Sequence, residues 1–587
     1  MQPTGIGSTA ARAVCRDVGV TFPVTNMKSP QIWSKAPGKP NRPIVIGTDG
    51  NLPKNGGMTK ATATPVPAAS SSSGGRKRQR WQAPHCNNNI STLLPILLHL
   101  ISVGTYLRPL TSSPSLLTNP SAVLDEAHIV SGNPDVAGTS TLRDVFVNDY
   151  WGRPITNNPS THKSWRPLTI LSFRWMNGGG ILGWSPLFVH RIVNVLIHAA
   201  AAETCSIAAT LLFPDLDSTH TTVLRAMTKL LFALHPAHVE VVANAANRPH
   251  ILAVLLSSLM LDPANRLIVV IMAEIGGLLC SETAIFQLPG VLATLTVIKW
   301  KRDYARKTER NWTSFFFTMA RLIPRYATII FFGLVYLGGR KYFDTLSIPD
   351  GLIRPAENPF YSLTGKTRML TYALLLAIHT GKAVLIDPIG FSHEYGFECI
   401  RNVVDMSDAR LLAPLVIYIG IGLVTLLCCR RGAEATVMWA VALAWLLTLF
   451  PVSGAIKVGT SIADRIVVPT TFAFAMFGGR LLTALLLNIG NDKSDQTEQK
   501  GPTFARTRSG ITTAATSPQL VARVALVSLL FGSMYKRVHR RSLEWTDSLS
   551  LLESSLISCP RSAKSNLEIS KIYSGLYKEK FDLPKAM

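Results

Sequence analysis

Charged residues are scarce in this chain. They make up 16% of its 587 residues, against roughly 25% in an ordinary soluble domain. With a mean hydropathy of +0.24, this shortage argues against a string of soluble units. Cysteine is sparse too: there are eight, and no CxxC pair occurs among them. That argues against a structural zinc site, and the scatter of the eight defines no disulfide framework and is silent on compartment. Acidic residues number 35 against 59 Lys and Arg, a net charge of +24. Nucleic-acid binding would be one use of that excess, but no reading motif accompanies it. The basic residues instead cluster beside apolar runs, at Arg76 to Arg80, Lys299 to Arg310, Arg430-Arg431 and Lys536 to Arg541. Basic residues anchor membrane loops in this way.

What the chain has in quantity is apolar runs near the ~20-residue bilayer length, recurring from residue 90 to residue 534. The expectation is an all-α polytopic membrane protein. Residues 1–85, rich in Pro, Gly, Ser and Thr, read as a disordered cytosolic region, too long and polar for a signal peptide. The first span, about 90–107, follows the Arg/Lys cluster, so the loop 109–185 falls on the outer, luminal side. Further spans are expected near 186–213, 222–234, 249–261, 266–280, 283–298 and 313–338. Alternation then returns Lys299 to Arg310 to the cytosol. The run 367–386 carries His379, Lys382 and Asp387. If it crosses the membrane, Arg430-Arg431 lands outside, so it is expected to lie in the interface or re-enter. Spans at 410–429, 434–452, 466–487 and 518–534 complete eleven. The body is thus 86–487, with a cytosolic linker at 488–517 and a luminal helical region at 535–587.

Under this topology the polar clusters converge on the luminal face. They are the loop 109–185, the segment His235, His238, Glu240 to Arg248, then Ser281-Glu282, and Lys457 to Arg465. Ionisable residues at membrane boundaries are costly, and are paired or functional. Asp125-Glu126 opens the first luminal loop, and two adjacent carboxylates can take a proton from a hydroxyl nucleophile and hold an acceptor. Alone, such a pair is more often a solvated loop edge. Asn148 to Gly152, His162 to Thr169 and Phe173-Arg174 follow it. His190, Asn194 and His198 recur at i, i+4 and i+8 on one helix face. That stripe suits a polar head group or hydrogen bonds between helices equally well.

At these residues the chain resembles the transmembrane and tetratricopeptide-repeat (TMTC) O-mannosyltransferases. Asp125-Glu126 with Asn133-Pro134-Asp135-Val136, the strings NDYWG, HKSWRPLT, SFR, HRIVNVLIHA and ALHPAHVEVV, and Leu278 to Thr283 are all similar to family signatures. So are Glu357-Asn358-Pro359 and Thr367 to Tyr372, so that the resemblance covers about 120–480. Arg541 to Leu576, with Trp545, Ser558-Cys559-Pro560 and Ala563-Lys564, resembles the family's entry into its luminal repeats, of which about one helical pair is present. There are departures. Ser281 stands where the family usually has Lys, His250 where it has Asp, and Val468 near its usual Tyr, while the late Glu-Arg pair is Asp464-Arg465.

The resemblance implies a GT-C-class glycosyltransferase of the endoplasmic reticulum membrane. It would move mannose from dolichyl phosphate mannose to Ser or Thr hydroxyls of luminal or secretory proteins. Asp125 is expected as the base, with Glu126 positioning the acceptor. Lys163, Arg166, His190, His198, Arg248 and Arg465 are expected at the donor phosphate, supported by His235, His238, Glu240 and Glu282. No metal site or cofactor is expected beyond the lipid-linked donor, membrane lipids and a protein acceptor, and no nucleic acid. The rival readings are a secondary transporter, for which inverted symmetry is missing, and an inactive membrane scaffold of the same family.

Overall fold

A computed structural model describes residues 90–177, 183–346, 348–387, 390–392, 395–396, 398–487 and 518–575. The expected disordered region 1–85 and cytosolic linker 488–517 lie outside the described residues. Those described form an all-α protein, with no strand among them.

The membrane body is built from α1 (Ile90–Leu110), α6 (Pro186–Leu212), α7 (Ser218–Ala233), α9 (Arg248–Leu259), α10 (Leu267–Cys280), α11 (Leu288–Asp303), α12 (Trp312–Tyr342), α14 (Leu412–Arg431), α15 (Ala433–Leu446), α16 (Asp464–Leu487) and α17 (Pro518–Glu544). The numbers between fall to α2 (Pro114–Thr118), α3 (Pro134–Ala137), α4 (Asp144–Val147), α5 (Pro167–Asn177), α8 (Val239–Ala243) and α13 (Gly365–Ala383). All eleven expected runs are therefore helical. Among the described residues, seven helices are long and apolar enough to cross a bilayer: those at 186–212, 282–303, 312–342, 409–431, 433–452, 464–487 and 518–544. α9, with 12 residues, rises only about 18 Å, well short of a ~30 Å hydrocarbon core.

Small residues let the helices approach closely, the usual device where lipid removes the hydrophobic drive between them. Gly290 of α11 lies against Trp445 of α15, and a Cβ there would meet the indole at 2.6 Å. α14 turns its apolar side chains outward: Leu415, Val416, Ile419, Leu423 and Leu426 are all more than half exposed, as a lipid-facing helix requires.

Ion pairs sort the two ends of the body. At one end Arg310 binds Asp215 at 2.6 Å and Lys301 binds Glu434 at 2.9 Å, joining the turns α6–α7, α11–α12 and α14–α15. The basic stretch Lys299 to Arg310 and the Arg430-Arg431 end of α14 therefore share that end. The loop 111–166, Glu282 and Arg465 gather at the other. α13 has both ends at this second face. Arg368 in its first turn donates to the Gly454 carbonyl, and Lys382 in its last turn pairs with Asp464 at 3.2 Å. Gly454 lies between α15 and α16 and Asp464 opens α16, and α13 is not among the helices long and apolar enough to cross a bilayer.

At the same face lies a helical hairpin, α18 (Ser548–Ser558) and α19 (Ala563–Tyr573). A disulfide joins Cys559 of its turn to Cys399, 160 residues earlier. The cysteine spacing gave no sign of that pair, because nothing local links the two positions.

Candidate active site

The loop between α1 and α6 is ordered by its own motif residues. Asp149 accepts from the backbone N–H groups of Trp151, Arg153 and His162 and from the Thr161 hydroxyl, at 2.5–3.1 Å. Gly152 follows at φ +75°, and a Cβ there would meet Asn133 Oδ1 at 2.5 Å. Asn133 in turn caps α3 and donates to the Tyr150 carbonyl at 3.2 Å. The NPD and NDYWG strings thus lock one another.

On this frame Asp125 and Glu126 go opposite ways. Glu126 is fully buried and accepts from Val123 N, Ala245 N and Arg191, the last at 2.5 and 3.1 Å. Its oxygens are occupied inside the protein, so it does not touch an acceptor. Glu126, expected beside the acceptor, instead braces the turn from inside the protein. Asp125 is exposed and opens on a cavity of about 1150 Å³. Its carboxylate accepts no hydrogen bond from the described residues.

Beside Asp125 lies an aromatic shelf. Trp151 stacks on His162 with ring centroids 5.1 Å apart, and His128 tilts toward Trp151 at 6.4 Å. Burial shifts the His162 pKa below the usual imidazole value, which favours the neutral ring. Across the cavity Arg166 grips Glu282 with two hydrogen bonds of 2.7 and 2.8 Å and lies 4.8 Å over the Tyr150 ring. Burial opposes its charge, but the Glu282 carboxylate outweighs that and raises the Arg166 pKa. Arg465 binds Glu240, which also accepts from the Arg465 backbone N–H at 2.9 Å. Lys163 reaches Asp344 at 3.3 Å and the Ile155 carbonyl at 3.1 Å. The lining holds eight basic residues (Arg153, Lys163, Arg166, Arg340, Arg354, Lys457, Arg465, Lys564) and four acidic ones (Asp125, Glu282, Glu357, Glu568). A cavity so biased favours an anionic ligand.

Asp125, Lys163, Arg166, Glu282 and Arg465 thus line one cavity, with Glu240 behind Arg465. The other expected residues do not reach it. His198 Nε2 meets His238 Nδ1 at 2.9 Å, and His238 Nε2 meets Thr471 at 2.7 Å, a buried chain tying α6 to α16. His235 bonds the Ala383 carbonyl at 3.2 Å. Arg248 is fully buried, held by Asn194 Oδ1 at 2.8 Å, Ser172 Oγ at 3.0 Å and the His190 carbonyl at 2.9 Å. His190 packs its ring edge-on to Phe173, centroids 5.2 Å apart. His190, His198 and Arg248, expected at the donor phosphate, therefore lie inside the helix bundle and outside the cavity lining. Of the polar stripe of α6, Asn194 and His198 hydrogen-bond to the segment 235–248 that folds back onto it, whereas the His190 ring nitrogens have no partner among the described residues.

The structure adds residues that sequence reasoning missed. Lys564 of α19 pairs with Glu357, which also holds Arg354 at 3.2 Å. The shelf residues Trp151 and His162, and Glu357 and Lys564 too, lay inside recognised strings without being singled out.

Fold and cavity together define a class: an all-α, multi-pass membrane protein with a cation-rich cavity at one membrane face, onto which the exposed Asp125 carboxylate opens. The profile of the family described as "Protein O-mannosyl-transferase TMTC, DUF1736" matches residues 348–422, the stretch containing α13 and much of α14. The chain is 26% identical over 462 residues to Protein O-mannosyl-transferase F38B6.6 of Caenorhabditis elegans, covering 77% of this chain and 56% of that one. It is 32% identical over 319 residues to Protein O-mannosyl-transferase Tmtc1 of Drosophila melanogaster, covering 51% and 35%. With Protein O-mannosyl-transferase TMTC4 of Mus musculus it shares 24% over 489 residues, covering 76% and 61%. No solved structure matches the chain. The chain is thus similar to TMTC proteins along much of its length, and the match spans from about a third to three-fifths of the length of these relatives.

Proposed function

We propose that the chain is a protein O-mannosyltransferase of the endoplasmic reticulum membrane. It takes mannose from dolichyl phosphate mannose and gives it to Ser or Thr hydroxyls of luminal or secretory proteins. The observation that carries this reading is the position of Asp125: a carboxylate without an ion-pair partner among the described residues, facing a cavity with twice as many basic as acidic residues. In the reaction the acceptor oxygen bonds to the sugar's C1 as the bond from C1 to the phosphate oxygen breaks. Asp125 takes the hydroxyl proton, and the phosphate leaves with the bonding electrons, its charge met by the cationic wall. Of that wall, Lys163 and Arg465 line the cavity with Arg166 between them in sequence. The flat Trp151–His162 shelf suits the apolar C–H face of a hexose ring. The Cys399–Cys559 disulfide at the same face favours an oxidising compartment.

The test is transfer by the purified full chain in proteoliposomes, given a Ser/Thr-rich peptide and dolichyl phosphate mannose. Mannosyl peptide is expected, with dolichyl phosphate glucose a poor substitute. If membrane-reconstituted protein makes no glycopeptide with any dolichol-linked hexose, the reading fails, and donor binding without turnover would mark an inactive scaffold.

A further inference from the structure

The turn that presents Asp125 is held from a distant part of the chain. Leu124, the residue before it, has φ +51°, a left-handed backbone that a leucine adopts only under constraint. Its N–H donates to the Ser548 hydroxyl at 3.3 Å, 424 residues away. Ser548 begins α18, whose first turn is fixed by Asp547 capping Ser550 N at 2.9 Å and Ser550 Oγ at 2.6 Å. On the other side of the turn, Val123 N donates to the buried Glu126 at 2.9 Å. The strained turn is therefore clamped between the membrane body and the C-terminal hairpin.

That hairpin is itself fastened in two further places. The Cys399–Cys559 disulfide ties its turn to the loop that follows α13, and Lys564 pairs with Glu357. Ser548, Leu552, Lys564 and Ile572 line the Asp125 cavity. Each anchor joins a different piece of the luminal face.

We propose that the α18–α19 hairpin positions the reacting carboxylate. Ser548 holds the Leu124–Asp125 turn in the conformation that aims Asp125 at the acceptor hydroxyl, and the disulfide and the Glu357–Lys564 pair keep Ser548 in place. This rests on Asp125 as the base. The hairpin then acts on the chemical step, whatever it also does for acceptor binding.

The test compares Ser548→Ala, Ser548→Thr and the double variant Cys399→Ser/Cys559→Ser, each in the membrane-reconstituted full chain, with Asp125→Asn in parallel. Ser548→Ala is expected to lower kcat roughly tenfold, as a small misplacement of a reacting group does, with KM for donor and acceptor within about twofold. Ser548→Thr, which keeps the hydroxyl, is expected to recover most of the rate, and the double cysteine variant to lower kcat likewise. Wild-type kcat in Ser548→Ala, a loss confined to acceptor KM, or no rescue by threonine would overturn the proposal. If Asp125→Asn is dead while Ser548→Ala turns over normally, the positioning role alone falls. If Asp125→Asn is active, the base assignment falls and the proposal with it.

Discussion

Arg191 and Glu126 form an ion pair at 2.5 Å with both side chains out of solvent, while Asp125, one residue away, is exposed. Two adjacent acids thus separate into a structural carboxylate and a free one. Breaking such a buried pair from one side leaves an uncompensated charge, typically costing about 3–5 kcal/mol. Glu126→Ala is expected to lower the melting temperature and the yield of folded protein sharply, whereas Asp125→Asn leaves both near wild type. Equal melting temperatures for the three proteins would contradict this division of roles.

The Arg166–Glu282 pair offers a different kind of check. Its two parallel hydrogen bonds and the stacking over Tyr150 need a planar guanidinium, which lysine does not have. Arg166→Lys is expected to fold and to lose roughly tenfold or more in kcat. Unchanged kcat in a peptide-transfer assay would show that the cavity wall tolerates a point charge there.

His162 gives a pH dependence whose sign follows from its environment. Burial lowers its folded pKa below the ordinary value of 6.5, so the unfolded chain binds the proton first as pH falls. Its contribution to stability is complete above about pH 6.5 and is lost progressively below it. Thermal melts in detergent are expected to show a steeper loss between about pH 7 and pH 5.5 for wild type than for His162→Gln. Parallel curves would mean that the imidazole does not sense folding.

Orientation can be read with glycan acceptor sites. A sequon introduced near residue 157, on the cavity face, is expected to be glycosylated in microsomes. The natural sequon Asn311-Trp312-Thr313 is expected to stay bare. It lies at the opposite end of the body, where Asn311 caps α12 by accepting from Ser314 N at 2.9 Å. A glycan on Asn311 with none near 157 would invert the topology.

How much of this was legible in the residues divides along physical lines. The helices were, because a bilayer imposes length and apolarity on each run, and because Arg310 and Arg430 mark one end. Part of the cavity was legible too: Asp125, Arg166, Glu282 and Arg465 sit in polar clusters that charge parity assigns to one face. The histidines were not. A stripe at i, i+4, i+8 looks the same whether it meets a ligand or a refolded segment, and only the path of 235–248 decides that His198 finds His238. Nor were Cys399–Cys559 and Glu357–Lys564, separated by 160 and 207 residues. Such pairs depend on where the hairpin docks, which no local pattern encodes.

The account turns on Asp125 as the proton acceptor. The most direct measurement is single-turnover mannosyl transfer by purified Asp125→Asn with dolichyl phosphate mannose and a Ser/Thr peptide, alongside wild type. The account predicts loss of transfer by at least about a hundredfold, a typical general-base contribution, with donor binding and melting temperature preserved. Transfer at the wild-type rate would contradict it.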